Sequence, residues 1–498
     1  MYCSKGRCCK WTCGIVGLVA LVTGCVLIQV FDNLIHEKVK DELPLKNGSV
    51  SYKNWLSPPA PIYFQIYVQH VANPEEVVQF GEKPVLVQKG PYTYREKRQK
   101  VNITYTADNT ITYMENQFFF FDRSRSVGPQ TDNFTTVNLP MITIANMVKY
   151  QFGIIQETVN AILEFTDEHV FIDLSVAELM WGYEDSLLKE VKDELAKFGY
   201  KLPIDDKFGL FLNKNGSNDG LYRITSGLGG TVDHFAEILT WDGNRSLNYW
   251  NSDFANSLNG SDGTMYPPFI DTSRSYYLFS SDLCRSLEIV HTKDYTLKGI
   301  DLTRFIVPPR TFANVSTNPY NKGFCTPESN CLPAGVLNAS VCRQGAPVIL
   351  SLPHFLDGDP AIRNRVIGMN PNREEHQSVI DIEPMTGVVM NAAKRLQLNA
   401  YLTNIPHIKD TANIHPYIIL PILWLDESAT IDDKSASDFK SEVLMPLKIT
   451  DAVQYGLIAL GAFLLACFFI CFAKGAFCNT KDREMQPVGE TSPLLTSD

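Results

Sequence analysis

The sequence predicts an α+β membrane protein: one transmembrane helix at each end, and between them a large, mostly antiparallel β body with a helical insertion. Three observations carry this. Trp11 to Phe31 runs 21 residues without a charge, and Ala452 to Ala473 runs 22. At ~1.5 Å of rise per residue, either can cross a hydrocarbon core of ~30 Å. All eight Asn-x-Ser/Thr sequons fall between those runs, at Asn47, Asn102, Asn133, Asn215, Asn244, Asn259, Asn314 and Asn338. The same stretch is rich in β-branched and aromatic runs broken by Gly, Pro, Asn and Asp, with one region of helical periodicity.

The first run is preceded by Lys5, Arg7 and Lys10 and followed by Asp32 and Glu37. Asp451 precedes the second, and Lys474, Lys481 and Arg483 follow it. Basic residues at both outer flanks put residues 1–10 and 474–498 in the cytosol as tails. Spans at 11–31 and 452–473 then enclose a lumenal or extracellular domain at 32–451. A cleaved signal peptide has an apolar region of ~7–15 residues ahead of a small-x-small site. Here the run is longer and ends in Val30-Phe31-Asp32, as an uncleaved signal-anchor does.

Cysteine usage agrees with that topology. Of twelve cysteines, Cys284, Cys325, Cys331 and Cys342 alone belong to the lumenal domain. In an oxidising compartment these four pair, and three connectivities are open. Cys325 and Cys331 bracket a short turn with Pro327, which favours that pair and leaves Cys284 with Cys342. On the chain-entropy account the short loop contributes about 2.4 kcal/mol and the long one about 4.2 kcal/mol. The remaining cysteines lie in or beside the two spans, where S-palmitoylation or burial in lipid would use them.

Strand patterns cover 61–70, 101–106, 110–114, 117–121, 346–351, 396–402 and 417–425. The four consecutive phenylalanines Phe118 to Phe121 invite a lipid-site reading, but a strand buried on both faces explains them as well and is the reading preferred. Helical periodicity is confined to an insertion at 141–200. Ile155, Val159, Ile162 and Leu163 recur on one side of 150–165, and 175–181 and 184–198 follow after short breaks. Between residues 151 and 200 there are 11 acidic and 3 basic side chains, a balance of 3 − 11 = −8 within a chain total of −11. That face is either simply solvated or a protein-docking surface that repels polyanions.

Catalytic chemistry finds no footing. There is no HExxH, no GxSxG elbow, no P-loop, no CxxC and no complete dinucleotide fingerprint, and the nine histidines lack metal-ligand spacing. No catalytic residue, no metal and no cofactor is assigned, and the chain is read as a receptor or carrier rather than an enzyme. Nucleic acid is excluded as a partner by charge and by topology.

Seven strings, spread in order over the lumenal domain, resemble the class B scavenger receptor family. They are GPYTYR (90–95), ELMWGY (178–183), SSDLCRS (280–286), SLPHF (351–355), NPNREEH (370–376), DIEPMTG (381–387) and AKRLQLN (393–399). The resemblance implies a lumenal antiparallel β-barrel pierced by a lipid tunnel and topped by a helical-bundle apex, which 141–200 matches in position. It also implies lipid partners (cholesterol, phospholipid, fatty acid) and a protein ligand docked on the apex.

Within the family, three features are similar to the lysosomal member. Glu490, Pro493, Leu494 and Leu495 form an acidic dileucine sorting signal for clathrin adaptor complexes. The four lumenal cysteines match, whereas the surface fatty-acid translocase has two more where this chain has Phe254-Ala255 and Gly323. Gly6-Arg7-Cys8-Cys9 resembles the lysosomal member's start.

Residues 127–140 and 421–431 resemble the translocase instead. At the apex, Leu174 stands where the lysosomal member has a pH-sensing histidine, and Phe165 stands where the translocase has a lysine. The implied function is a lysosomal or late-endosomal receptor carrying an acid hydrolase such as β-glucocerebrosidase. Its cargo surface would be Ile155, Val159, Ile162, Leu163 and His169, with His169 the candidate pH sensor between Asp167 and Glu168. The alternative is a plasma-membrane scavenger receptor for fatty acid or lipoprotein uptake. A second copy of the chain is a further candidate partner.

Overall fold

The structure, a computed structural model, describes residues 5–58, 60–197, 206–343, 345–414 and 416–484. The chain forms two compact units, one made of the terminal segments up to Val39 and from Ser437, the other of Lys40–Ala436.

In the terminal unit both apolar runs lie within longer helices, Lys5–Glu42 and Met445–Glu484, the second entered through a π-helical turn at Lys440–Leu444. The first helix continues past the apolar run because the Asp, Glu, Lys and His residues that follow it bring no proline or glycine to stop it. Both are long and apolar enough to cross a membrane. They pack on each other: Trp11 and Phe468 have ring centroids 5.7 Å apart, and a Cβ added at Gly461 would sit 2.5 Å from the backbone N of Leu21. A small residue there lets the backbones approach, which is the main packing device between helices in lipid.

In the larger unit, thirteen strands among the described residues join in one antiparallel sheet. Apart from the two-residue strands Tyr183–Glu184 and Lys207–Phe208, which pair with each other, the strands of this unit in chain order are β1 (Ile62–Val71), β2 (Leu86–Tyr105), β3 (Thr110–Phe121), β4 (Asn133–Val137), β5 (Phe171–Ser175), β6 (Tyr222–Thr225), β7 (Ile238–Trp241) and β8 (Tyr276–Ser280). Then come β9 (Arg285–Leu297), β10 (Ile300–Ile306), β11 (Val336–Asn338), β12 (Val348–Ser351), β13 (Val379–Ile382), β14 (Val389–Leu402) and β15 (Ile418–Thr430). The sheet path is β8-β9-β10-β13-β14-β15-β1-β2-β3-β6-β7; β12 also pairs with β14, and β11 with β12. β4 and β5 form a separate pair.

The two ends of the path are laced together by Gly260 and Ser261. Ile238 N donates to Gly260 O at 2.8 Å on the β7 side, and Phe279 N donates to Ser261 O at 2.9 Å on the β8 side. The sheet therefore closes into a barrel. Gly260 is obligatory at this seam: its φ is +77° and a Cβ would lie 1.9 Å from Tyr277 O.

Two expectations need correction. β2 is 20 residues long, although only 101–106 reads as a strand in sequence. Its middle carries Glu96, Arg98 and Lys100 on the inward face, so apolar patterning misses it. Phe118–Phe121 is not buried on both faces: Phe119 is 6% exposed and Phe120 57%, the ordinary alternation of a strand.

One apolar cluster joins barrel and apex. It holds Phe64, Ile66, Tyr94 and Phe119 from the strands together with Met141, Leu163, Leu174, Leu179 and Leu187 from the insertion.

Candidate functional site: the helical apex and the charged barrel interior

The insertion folds as helices Leu139–Val148, Gly153–Phe165, Val176–Trp181 and Ser186–Lys197. Local chemistry starts them where the sequence supplies caps. Asn138 Oδ1 accepts from Met141 N at 3.0 Å, and Ser175 and Glu178 form a reciprocal capping box. Glu168 accepts from Asn138 Nδ2 at 2.5 Å and from Ser186 Oγ at 2.8 Å, tying two helix starts together. Trp181 Nε1 donates to Tyr94 OH at 3.0 Å, which fixes the insertion on β2.

The predicted cargo stripe largely faces inward. Leu163 is 3% exposed, and Val159 and Ile162 pack against the core, so these three hold the Gly153–Phe165 helix down; Ile155 remains partly open at 39%. The outward apolar residues are others: Tyr150 is 89% exposed, Phe152 81%, Phe165 79%, Ile154 70% and Met147 67%. Periodicity finds the buried side of an amphipathic helix, so it selected the anchoring residues. The signal for the exposed set is large apolar residues off the periodic stripe.

His169 is exposed and its imidazole Nδ1 lies 2.8 Å from Asp410 Oδ2, with Asp167 Oδ1 3.4 Å from Nε2. The hydrogen bond to Asp410 is the main reason its pKa is raised, and Asp167 adds to it. Asp410 belongs to a loop that meets the same helix again, where Lys409 N donates to Asn160 Oδ1 at 3.0 Å and His407 Nδ1 lies 3.4 Å from Glu157. Sequence spacing pointed to Asp167 and Glu168. The stronger partner lies 241 residues away. Leu174 sits buried in β5 opposite Phe134.

Inside the barrel, opposed residues share a face across neighbouring strands, giving the rows Lys394–Glu427–Phe64–Tyr94 and Leu396–Leu425–Ile66–Tyr92. On this inner face the aliphatic rows border a network of charge. Arg98 bonds Glu96 at 2.7 Å, Glu115 at 3.1 Å, and Glu427; Lys100, fully buried, bonds Glu115 at 2.6 Å. Lys394 pairs with Glu427 at 3.2 Å and with Asp282, which reaches it from the β8–β9 turn.

The network fixes its own titration. Burial pushes the Glu96 carboxyl up to about 7, with Arg98 opposing and Glu427 adding to the rise. Lys394 holds Asp282 well below the usual carboxylate range. Lys394 and Asp282 keep 42% and 41% of their side-chain surfaces accessible.

Cys284 pairs with Cys342 and Cys325 with Cys331. Asn47, Asn102, Asn133, Asn215, Asn244 and Asn314 are exposed, while Asn259 and Asn338 are half-buried. Glu490, Pro493, Leu494 and Leu495 lie outside the described residues. Among the described residues no group of three or more His, Cys, Asp or Glu side chains is placed to hold a metal.

Known proteins are similar to this chain in sequence over nearly its whole length. Lysosome membrane protein 2 of Mus musculus is 37% identical over 492 residues, covering 98% of this chain and 100% of its own length. That of Homo sapiens is 37% identical over 493 residues, with 98% and 100% covered. Scavenger receptor class B member 1 of Cricetulus griseus is 35% identical over 455 residues, with 91% and 87% covered. The profile of the CD36 family matches residues 15–472, both terminal helices and the barrel included, and the chain belongs to that family of membrane receptors.

Proposed function

We propose that the protein is a lysosomal or late-endosomal receptor, anchored twice with both tails cytosolic, that carries an acid hydrolase of the β-glucocerebrosidase kind on its helical apex. The exposed set Tyr150, Phe152, Ile154 and Phe165 is the observation that carries this reading. Large exposed apolar residues mark a candidate partner site, and aromatics supply most of the energy at such interfaces. Relatives named lysosome membrane protein 2 support the location. The dileucine tail would supply the route through clathrin adaptors. Immunoprecipitation of the full chain from cells tests it: β-glucocerebrosidase should follow the wild type and be depleted with Phe152→Ser plus Phe165→Ser. Equal recovery with both sinks the carrier reading.

A second role, binding or conducting cholesterol, phospholipid or fatty acid, is favoured by the accessible Lys394–Asp282 pair beside aliphatic rows on the barrel's inner face. Surface labelling separates carriage from uptake. Capture of most of the protein on intact cells would favour the plasma-membrane scavenger alternative, and co-sedimentation with lysosomes the carrier.

A further inference from the structure

Arg285 opens strand β9 and is 5% exposed, yet among the described residues no carboxylate pairs with it. Its guanidinium lies 3.6 Å from the centroid of the Phe324 ring and 5.4 Å from that of Phe312. Among the described residues its single hydrogen bond to protein is a long one, Nη1 to Thr311 O at 3.5 Å, and its Nε has no partner. Two hydroxyls nearby are also buried and unpartnered, Thr311 Oγ1 and Thr326 Oγ1. All three residues line one cavity of about 40 Å³, whose lining also includes the exposed Asn330.

A buried charge is retained only where something pairs with it, and an arginine does not escape by losing its proton in this pH range. Ring faces supply part of the compensation. Burial alone pulls the Arg285 pKa down to about 9, the mark of a cation with no anion beside it. The three unpartnered groups can all donate, and no acidic side chain lines the cavity. A volume of about 40 Å³ has room for a monatomic anion and a companion water but not for a lipid or a sugar.

We infer that this cavity is a binding site for a small monovalent anion of chloride size, held by Arg285 Nε and the hydroxyls of Thr311 and Thr326. The ion would brace the 309–338 segment against β9. Neither the apex nor the inner charge network takes part, so the inference stands apart from the carrier reading.

The test uses the full-length protein in detergent. Thermal unfolding is followed while chloride replaces gluconate at constant ionic strength, gluconate being too large for the cavity. The wild type should show a saturable rise in Tm of about 1–2 °C or more. Arg285→Met should abolish the rise. If that variant does not fold, Thr311→Val with Thr326→Val decides: the half-maximal chloride concentration should move up at least about tenfold. Crystals soaked in bromide should show an anomalous peak beside Arg285 Nε. A Tm independent of chloride, an unchanged response in the double variant, or water alone at the site overturns the assignment.

Discussion

The imidazoles of His354 and His376 stack with centroids 4.4 Å apart and planes 15° from parallel, both rings buried behind Trp424. His354 Nδ1 accepts from Asn370 N and its Nε2 bonds Gln88; His376 Nδ1 accepts from Asn372 N. Burial is the first cause that lowers each pKa to about 4, reinforced by the partner ring at His354 and by Arg395 at His376, with Glu375 the opposing charge at His354. The folded state then binds fewer protons than the unfolded one between pH 6.5 and 4, so this pair loses stability on acidification through that window. At pH 5 the loss is on the order of 2 kcal/mol per ring. His354→Asn with His376→Gln should flatten the decline, measured as urea midpoint against pH. An equally steep decline would show that the rings do not titrate in this range.

Glu96 works in the opposite direction. Its carboxyl is raised to about 7, so the folded state holds a proton that the unfolded state has released. Stability from this group is therefore present at acid pH and lost as pH rises from about 4.5 through 7. One oxygen accepts from Arg98 and the other has no partner, a geometry that suits the neutral acid. Glu96→Gln should raise stability at pH 7.5 by on the order of 1–3 kcal/mol and leave pH 5 nearly unchanged. A loss at pH 7.5 would show that the carboxylate form is the one the network needs.

The apex separates anchoring from docking. Leu163→Ala should cost about 2–5 kcal/mol of stability through a core cavity. Phe152→Ser and Phe165→Ser, on exposed positions, should leave the unfolding midpoint within about 0.5 kcal/mol of wild type while cutting hydrolase binding at least about tenfold. Urea unfolding of the purified full-length receptor reads the stability, and titration of the hydrolase onto it reads the binding. Retained binding in the Phe152 and Phe165 variants moves the docking site elsewhere.

At the barrel seam, Gly260→Ala should be severe. The added Cβ meets Tyr277 O in a left-handed backbone, so the hydrogen bonds donated by Ile238 N to Gly260 O and by Phe279 N to Ser261 O cannot both persist. A cost of about 3 kcal/mol or more and low expression are expected. Gly263→Ala, where nothing lies within 4 Å of the new Cβ, is the control and should be much milder.

Much of this was legible in sequence, for identifiable reasons. Terminal spans follow from uninterrupted apolar length. Three of the insertion's helices, Gly153–Phe165, Val176–Trp181 and Ser186–Lys197, start and stop within a few residues of their periodic runs because caps such as Ser175 reinforce the pattern. Leu139–Val148 does not read as a helix in sequence. The strands between Tyr222 and Ile306 were not legible: they are short or polar, and their stability comes from neighbours distant in the chain. The strings that carry the family resemblance turn out to be each other's partners: Tyr94 with Trp181, Asp282 with Lys394, His354 with His376. Each is polar or aromatic contact across the fold, which no local periodicity encodes. The exposure of the apex helix was not legible for the converse reason, since the periodic stripe of Val159, Ile162 and Leu163 marks what a helix buries.

The apex has its own titrating contact, and its sign can be fixed. The hydrogen bond from His169 to Asp410 raises the imidazole pKa, with Asp167 contributing; Glu157 and His407 face the same junction from the helix and the loop. A raised histidine contributes stability that is fully present below the unfolded value of about 6.5 and is lost as pH rises through the folded value. Acidification therefore tightens the bond between the end of the Gly153–Phe165 helix and the 405–411 loop, while it loosens the His354–His376 pair. The side chain is mostly exposed, so solvent screening keeps the effect local. Amide hydrogen exchange of the full-length protein is the fitting readout. Residues 160–169 and 405–411 should be better protected at pH 5.5 than at 7.5 after correction for intrinsic rates. His169→Gln and Asp410→Asn should each remove that difference. If hydrolase release follows this tightening, His169→Gln should also shift the pH midpoint of release. An unchanged midpoint alongside lost protection would confine the pair to bracing the apex, and unchanged protection would remove it from the pH response altogether.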